Sequence, residues 1–263
     1  MTVNDSPWPA GVPAWADITV PDLAAAQRFY GGLLGWEFSQ GRPETGGYVT
    51  ASVDGRRVAG LLPASDASAD DPAAWCLYLA VDDVTLAAEH AVAAGGQLIA
   101  GPMTVLGLGD IAVLADPVGA VFGLWQSGTH TGWDVTDVPG AFVWAEQMSQ
   151  HPDVSRRFYT ELFGYEQTDL SAPDFTYTSL AVGGSPAVGV GGYGAGVGAD
   201  VPAAWTWYVA VPDVDAAARR VPEVGGSVVS GPEDTPYGRL VLAHGPAREV
   251  VALLEQPPAD VPA

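Results

Sequence analysis

The chain repeats itself. Trp15-Ala16-Asp17-Ile18-Thr19 leads into Gln27-Arg28-Phe29-Tyr30 and Leu34-Gly35-Trp36-Glu37, and Trp144-Ala145-Glu146-Gln147-Met148 leads into Arg156-Arg157-Phe158-Tyr159 and Phe163-Gly164-Tyr165-Glu166. Tyr159 follows Tyr30 by 129 positions. At a spacing of 130, Ala73-Ala74-Trp75 with Val81-Asp82-Asp83-Val84 returns as Ala203-Ala204-Trp205 with Val211-Pro212-Asp213-Val214. Gly95-Gly96 and Gly101-Pro102 match Gly225-Gly226 and Gly231-Pro232 in the same way. Self-similarity of this kind marks paired copies of one structural unit. Two diverged copies facing each other are expected to hold the functional cleft between them.

Each unit opens on a short alternating strand, Ala14 to Val20 or Phe142 to Met148. Asp22 is placed to cap the helix that follows, where Leu23, Ala26, Phe29, Tyr30, Leu33 and Leu34 share a face. The second copy keeps that face with Val154, Phe158, Tyr159, Leu162 and Phe163, and Pro152 suits a first turn. Gly35 and Gly164 supply left-handed helix ends. Hairpins are expected at Tyr48 to Leu62 and Phe175 to Val190, then strands at Trp75 to Val81 and Trp205 to Val211. Asp83 and Asp213 begin second helices, the later one shortened or kinked by Pro222. Two strands close each unit, Asp110 to Ala115 with Val121 to Gln126, and Arg239 to Ala243 with Val250 to Glu255. The expected fold is α+β, a strand–helix–three-strand order written twice per unit. The units span residues 10–127 and 138–257, with Ser127 to Pro139 as linker and loose ends beyond Gln256.

The 263 residues carry a net charge of −21, from 31 acidic and 10 basic side chains. Every basic residue is arginine, so lysine chemistry (Schiff base, phosphate-loop ammonium, lysine base) is excluded. Such a chain repels phosphate backbones, so no nucleic-acid partner is expected, and cationic small molecules are favoured. Cys76 stands alone, which excludes an intrachain disulfide framework and fits a reducing compartment. No secretion signal is visible, and the most apolar run, Ile111 to Trp125, is broken by Asp116, Pro117 and glycines. A soluble cytoplasmic protein without a membrane partner is the expectation.

The pattern resembles the vicinal oxygen chelate superfamily of glyoxalases, extradiol dioxygenases and bleomycin-resistance proteins, over about the whole chain from near Pro13 to Gln256. Val20-Pro21-Asp22-Leu23, Arg28-Phe29-Tyr30, Leu34-Gly35-Trp36 and Asp116-Pro117-Val118-Gly119-Ala120 carry the resemblance. It implies tandem βαβββ modules whose curved mixed sheets form a cup around the ligand. It also implies that metal-dependent members hold a divalent ion with His, Gln or Glu from the first and last strands of a module. Those positions fall on Trp15 and Trp144, and on Gly123 and Ala252, whose indole, hydrogen and methyl groups cannot ligate. His90, His130, His151 and His244 read as surface or capping residues, so the metal is expected to be lost and no cofactor is expected.

Alternation puts Trp15, Asp17 and Thr19 on one strand face, and Trp144, Glu146 and Met148 on its counterpart. Val121 and Trp125 are expected to flank Gly123, where small residues leave room for a ligand. Cys76 and Tyr78, with Thr206 and Tyr208, are candidates for the neighbouring wall. An aromatic, acidic cup of this kind suits a planar, amine-bearing ligand such as an antibiotic or natural product. Sequestration of that molecule is the leading reading. The rival is a metal-free tailoring enzyme (isomerase, cyclase or hydratase) with Asp17 and Glu146 as general acid and base. An accessory subunit handing an intermediate to an oxygenase is a third. Each carboxylate also has a structural reading, paired to an arginine such as Arg239, and Trp75 and Trp205 read equally as core. Gly189-Val190-Gly191-Gly192-Tyr193-Gly194 matches a dinucleotide fingerprint but reads better as a flexible hairpin connection. Both monomer and homodimer are compatible with two modules in one chain.

Overall fold

A computed structural model describes residues 1–65 and 72–255. Residues 66–71 and the segment from Gln256 on lie outside the described residues. The first half runs β1 (Thr2–Val3), β2 (Pro13–Val20), α1 (Leu23–Leu34), β3 (Glu37–Phe38), β4 (Val49–Val53), β5 (Arg56–Pro63), β6 (Trp75–Ala80), α2 (Val84–Ala93), β7 (Gln97–Val105), β8 (Gly109–Ala115) and β9 (Val121–Ser127). After β10 (Val135–Thr136) the second half runs β11 (Phe142–Ser149), α3 (Pro152–Phe163), β12 (Glu166–Asp169), β13 (Tyr177–Val182) and β14 (Ser185–Gly192). It closes with β15 (Ala204–Ala210), α4 (Val214–Glu223), β16 (Ser227–Thr235), β17 (Gly238–His244) and β18 (Val250–Glu255).

Each half makes its own sheet. The first has the order β3-β4-β5-β2-β6-β9-β8-β7, and the second repeats it as β12-β13-β14-β11-β15-β18-β17-β16, with β10 and β1 added beside β11. β2 is antiparallel to β6 and parallel to β5, so the opening strands of the two βαβββ motifs lie side by side at the centre. The α+β tandem architecture follows. The helix ends obey local rules: Asp22 and Asp83 accept from Ala25 N and Leu86 N at 2.9 Å, Asp213 accepts from Ala216 N at 2.7 Å, and Gly35 and Gly164 are left-handed. Pro222 sits in the last turn of α4, where few intrahelical bonds depend on it.

Four edge strands, β3, β7, β12 and β16, complete the three-strand sets and have no sequence counterpart in the periodicity. β3 is two residues long, and β7 and β16 are largely exposed and interrupted by Gly101-Pro102 and Gly231-Pro232. The stretch from Ser127 to Pro139 is not a bare linker either. Trp133 is fully buried, stacks on Phe142 at 4.1 Å, and donates its backbone N–H to Ala14 O. Asp134 meets Arg57 of β5 in a two-pronged pair at 2.7 and 2.9 Å.

The two halves meet through packed side chains, not across a cleft. α1 lies on α4 and α2 on α3. Tyr30, Trp36, Trp75, Trp133, Phe142 and Trp207 form one aromatic cluster with centroids 4.1 to 6.4 Å apart. Its burial removes the expected site between the copies. Trp75 and Trp205 belong to this interface: each indole N–H donates to a tyrosine hydroxyl, Tyr30 at 3.1 Å and Tyr159 at 2.8 Å. Tyr30 in turn donates to Glu249 at 2.8 Å, and Tyr159 donates to Asp116 at 3.0 Å, so each module reaches into the other.

Candidate functional site

One face of each sheet carries a polar cluster, built the same way twice. Register sets Asp17 opposite Cys76 and Gly60, with Trp15 opposite Tyr78. In the second module Glu146 stands opposite Thr206 and Gly189, with Trp144 opposite Tyr208. Asp17 accepts from Tyr78 at 3.3 Å and from Tyr48 at 3.4 Å, and the Trp15 indole donates to the Tyr48 hydroxyl at 2.9 Å. Glu146 accepts from Tyr208 at 2.7 Å and from Tyr177 at 2.8 Å, and the Trp144 indole donates to Tyr177 at 2.9 Å. The motif is tryptophan, tyrosine, carboxyl, tyrosine.

Glycine makes the motif possible. A β-carbon at Gly60 would fall inside the Tyr48 hydroxyl, and one at Gly123 inside the Tyr78 ring; Gly189 relates to Tyr177 in the same way. The space over Gly123 is therefore filled by the protein's own tyrosine, which corrects the expectation of an empty floor there. Gly189 and Gly191 are likewise buried strand residues of β14 beneath Tyr177 and Met148, not parts of a flexible connection. No helix follows them, and β15 is the next element.

Burial dominates the electrostatics. Loss of water pushes the Asp17 carboxyl up to about 7, against the opposing pull of the Tyr78 and Tyr48 hydroxyls. Glu146 is raised for the same reason, opposed by Tyr208 and Tyr177. The Cys76 thiol is pushed up to about 12 by burial and by the Asp17 charge, which leaves no thiolate nucleophile. The arginine-bridge reading of the carboxyls does not hold: Arg239 pairs with Asp215 and Asp234.

The remaining expected residues divide. Trp125 is buried on the cup side and donates its indole N–H to His130 O at 3.1 Å. Thr19 and Val121 are exposed at strand ends, and Met148 lies half-buried across Gly191. His130 is a correction. It is buried against Trp15, 4.5 Å between centroids, and against Trp125 at 5.4 Å. Its Nδ1 accepts from Gly132 N at 3.0 Å, and its Nε2 has no partner among the described residues. Burial and the Arg57 charge pull it down to about 4. His90 is exposed on α2, His244 is a half-buried strand residue at the end of β17, which corrects its expected turn position, and His151 precedes α3 without a capping bond from its side chain. Tyr48 and Tyr177, central to the clusters, were legible as a pair 129 positions apart that recurs with Gly60 and Gly189.

The donor set does not suit a metal ion. Among the described residues no group of three or more His, Cys, Asp or Glu gathers. The carboxyl oxygens that come nearest to ligand positions are engaged by tyrosine hydroxyls.

The model of the Glyoxalase/Bleomycin resistance protein/Dioxygenase superfamily matches residues 13–124 and 141–251. The chain is 39% identical to the anthracycline biosynthesis protein DnrV of Streptomyces peucetius, over 95% of this chain and 96% of that one. It is 38% identical to the anthracycline biosynthesis protein DauV of Streptomyces sp. (strain C5), with the same coverage. Among solved structures, the Mn(II)-bound glyoxalase of Novosphingobium aromaticivorans aligns at a TM-score of 0.65 and 17% identity, covering 96% of this chain and 85% of that one. The 2,3-dioxygenase LapB of Pseudomonas sp. KL28 aligns at 0.65 and 16%, covering 96% of both. At these identities the structural likeness concerns the fold. No helix among the described residues is long and apolar enough to cross a membrane.

Proposed function

This chain belongs to the glyoxalase/bleomycin resistance protein/dioxygenase superfamily, and we propose that it binds a planar aromatic natural product or biosynthetic intermediate without a metal ion. The observation that carries this reading is the Trp–Tyr–carboxyl–Tyr cluster on the cup face, at the strands where metal-dependent members carry ligands. Indole and phenol rings offer flat apolar walls, and the carboxyl offers one polar anchor that is neutral or charged near pH 7. Asp17, Tyr48, Cys76 and Thr19 keep partial or full exposure and form the approach. The net charge of −21 favours a ligand bearing an amine. The two anthracycline biosynthesis relatives fit an aromatic polyketide as the ligand class.

A second reading rests on the Asp17 carboxyl being raised to about 7, which suits a proton donor and acceptor in a tailoring step.

Tryptophan fluorescence tests the binding reading. Titration with an anthraquinone-bearing probe is expected to give saturable quenching that a chelator leaves unchanged. Quenching abolished by chelator, or none, overturns it. Recovery of the probe chemically altered would transfer the case to the tailoring reading.

A further inference from the structure

We propose that the first cup is the ligand site and that the second is a structural copy which holds its module together. This inference rests on the binding reading above and assigns it to one place.

The two clusters differ by one methylene group, and the geometry records it. Glu146 reaches both tyrosine hydroxyls at 2.7 and 2.8 Å, the ordinary length for O–H···O bonds, so each of its oxygens holds one well-formed bond. Asp17, one carbon shorter, stands 3.3 and 3.4 Å from its pair, although the indole-to-tyrosine bond is 2.9 Å in both modules. The frame is unchanged while the carboxyl has drawn back. Its tyrosine bonds are weak, so a ligand oxygen or amine competes for it at small cost.

Two further differences act in the same direction. Met148 lies across Gly191 in the second cup. Its counterpart Thr19 is short and exposed, next to the partly exposed Leu62 across the strand. Behind the first cup, His130 is wedged between Trp15 and Trp125 and fixes the indole as a rigid wall. Trp144 has no such ring against it among the described aromatic pairs, and Leu254 occupies the strand position corresponding to Trp125. The first cup thus has a rigid aromatic wall and a loosely held carboxyl. The second has a tightly held carboxyl. The ligand chemistry that fits the first is a planar aromatic ring system carrying a hydroxyl, carbonyl or amine at its edge.

Calorimetric titration of the full chain with daunorubicin, a planar and cationic anthraquinone-type probe, tests the assignment. One site per chain is expected. Asp17→Glu, which restores the missing methylene, should weaken binding at least tenfold, and Thr19→Met, which copies Met148 at an exposed position, should do so severalfold. Glu146→Asp should leave affinity within about twofold. Two equivalent sites, or loss of affinity in Glu146→Asp with Asp17→Glu unaffected, would overturn the assignment and leave the binding reading standing. No saturable binding by the unmodified chain would instead remove the binding reading itself. Near-ultraviolet circular dichroism checks that Asp17→Glu is folded; if it is not, Thr19→Met decides, and unchanged affinity there overturns the assignment.

Discussion

Glu249 does for Tyr30 what Asp116 does for Tyr159, although the two carboxyls leave opposite ends of the same turn. Asp116 opens its turn, which closes with its N–H on Ala120 O; Glu249 ends the matching turn, whose first residue is Gly245. A β-carbon at Gly245 would collide with the Glu249 carboxyl, so the glycine is what permits the exchange. Each carboxyl also accepts from its own turn's backbone, Asp116 from Val118 and Ala120, and Glu249 from Ala247. The repeat kept the inter-module bond and moved its acceptor.

Removing either tyrosine hydroxyl strips a partner from a buried carboxyl and an acceptor from a tryptophan N–H. Tyr30→Phe and Tyr159→Phe are each expected to cost about 1–3 kcal/mol, because unsatisfied buried polar groups bear their full desolvation penalty. The networks share no residue, so the double variant should show near-additive losses in urea unfolding. A loss under about half a kcal/mol for both would contradict the interface described.

Asp17 gives a pH signature. Its folded-state value lies near 7, above the usual range of an unfolded chain, so the folded form holds the proton more tightly. The associated stability is complete below about pH 4 and is lost as pH rises through about 7. Asp17→Asn removes this loss. Relative to the unmodified chain, the variant should gain on the order of 2 kcal/mol between about pH 5 and pH 8. Chemical-denaturation midpoints across that range measure it, and parallel profiles would refute the raised carboxyl.

His130 acts on the acid side. Its folded-state value is held near 4, so the unfolded chain takes up the proton first. Stability from this residue is intact above about pH 6.5 and is lost as pH falls toward 4. His130→Phe should flatten that decline, while losing about 1 kcal/mol at neutral pH with the Gly132 hydrogen bond. Thermal unfolding between about pH 7 and pH 4.5 separates the two effects; an unchanged acid slope would count against the buried neutral imidazole.

Gly60→Ala and Gly123→Ala place a methyl group inside Tyr48 and Tyr78. Each should displace its ring, cost about 1–3 kcal/mol and weaken probe binding. Gly189→Ala should cost as much in stability through Tyr177 without a matching loss of binding. Paired unfolding and fluorescence titrations would show the split.

Much of the fold could be read because its signals are local and repeated. Helix caps at Asp22, Asp83 and Asp213 and the faces through Phe29-Tyr30 and Phe158-Tyr159 depend on spacing alone. The strands that escaped notice, β7 and β16, owe their place to a neighbour across the ladder and show little burial of their own. In the cups, alternation brought out Trp15, Asp17, Trp144 and Glu146. The filling of the cup did not follow, since Gly123 read alone suggests space. Only its register with Tyr78 reveals an occupant. His130 was hidden because a loop residue gains its burial from two indoles distant in sequence or turned inward by the strand.

The N-terminal strand has a consequence for the architecture as a whole. β1 pairs with β10, which in turn lies along β11, so Thr2 and Val3 extend the sheet of the far module. Asn4 adds a bond to Asp134 O, and Asp134 itself grips Arg57 of the near module. The first half is therefore threaded between two points of attachment on the second. Division of the chain near residue 130 would leave each half with an uncovered edge and an abandoned ion-pair partner. The two copies are therefore tied at the start of the chain as well as along their packed helices.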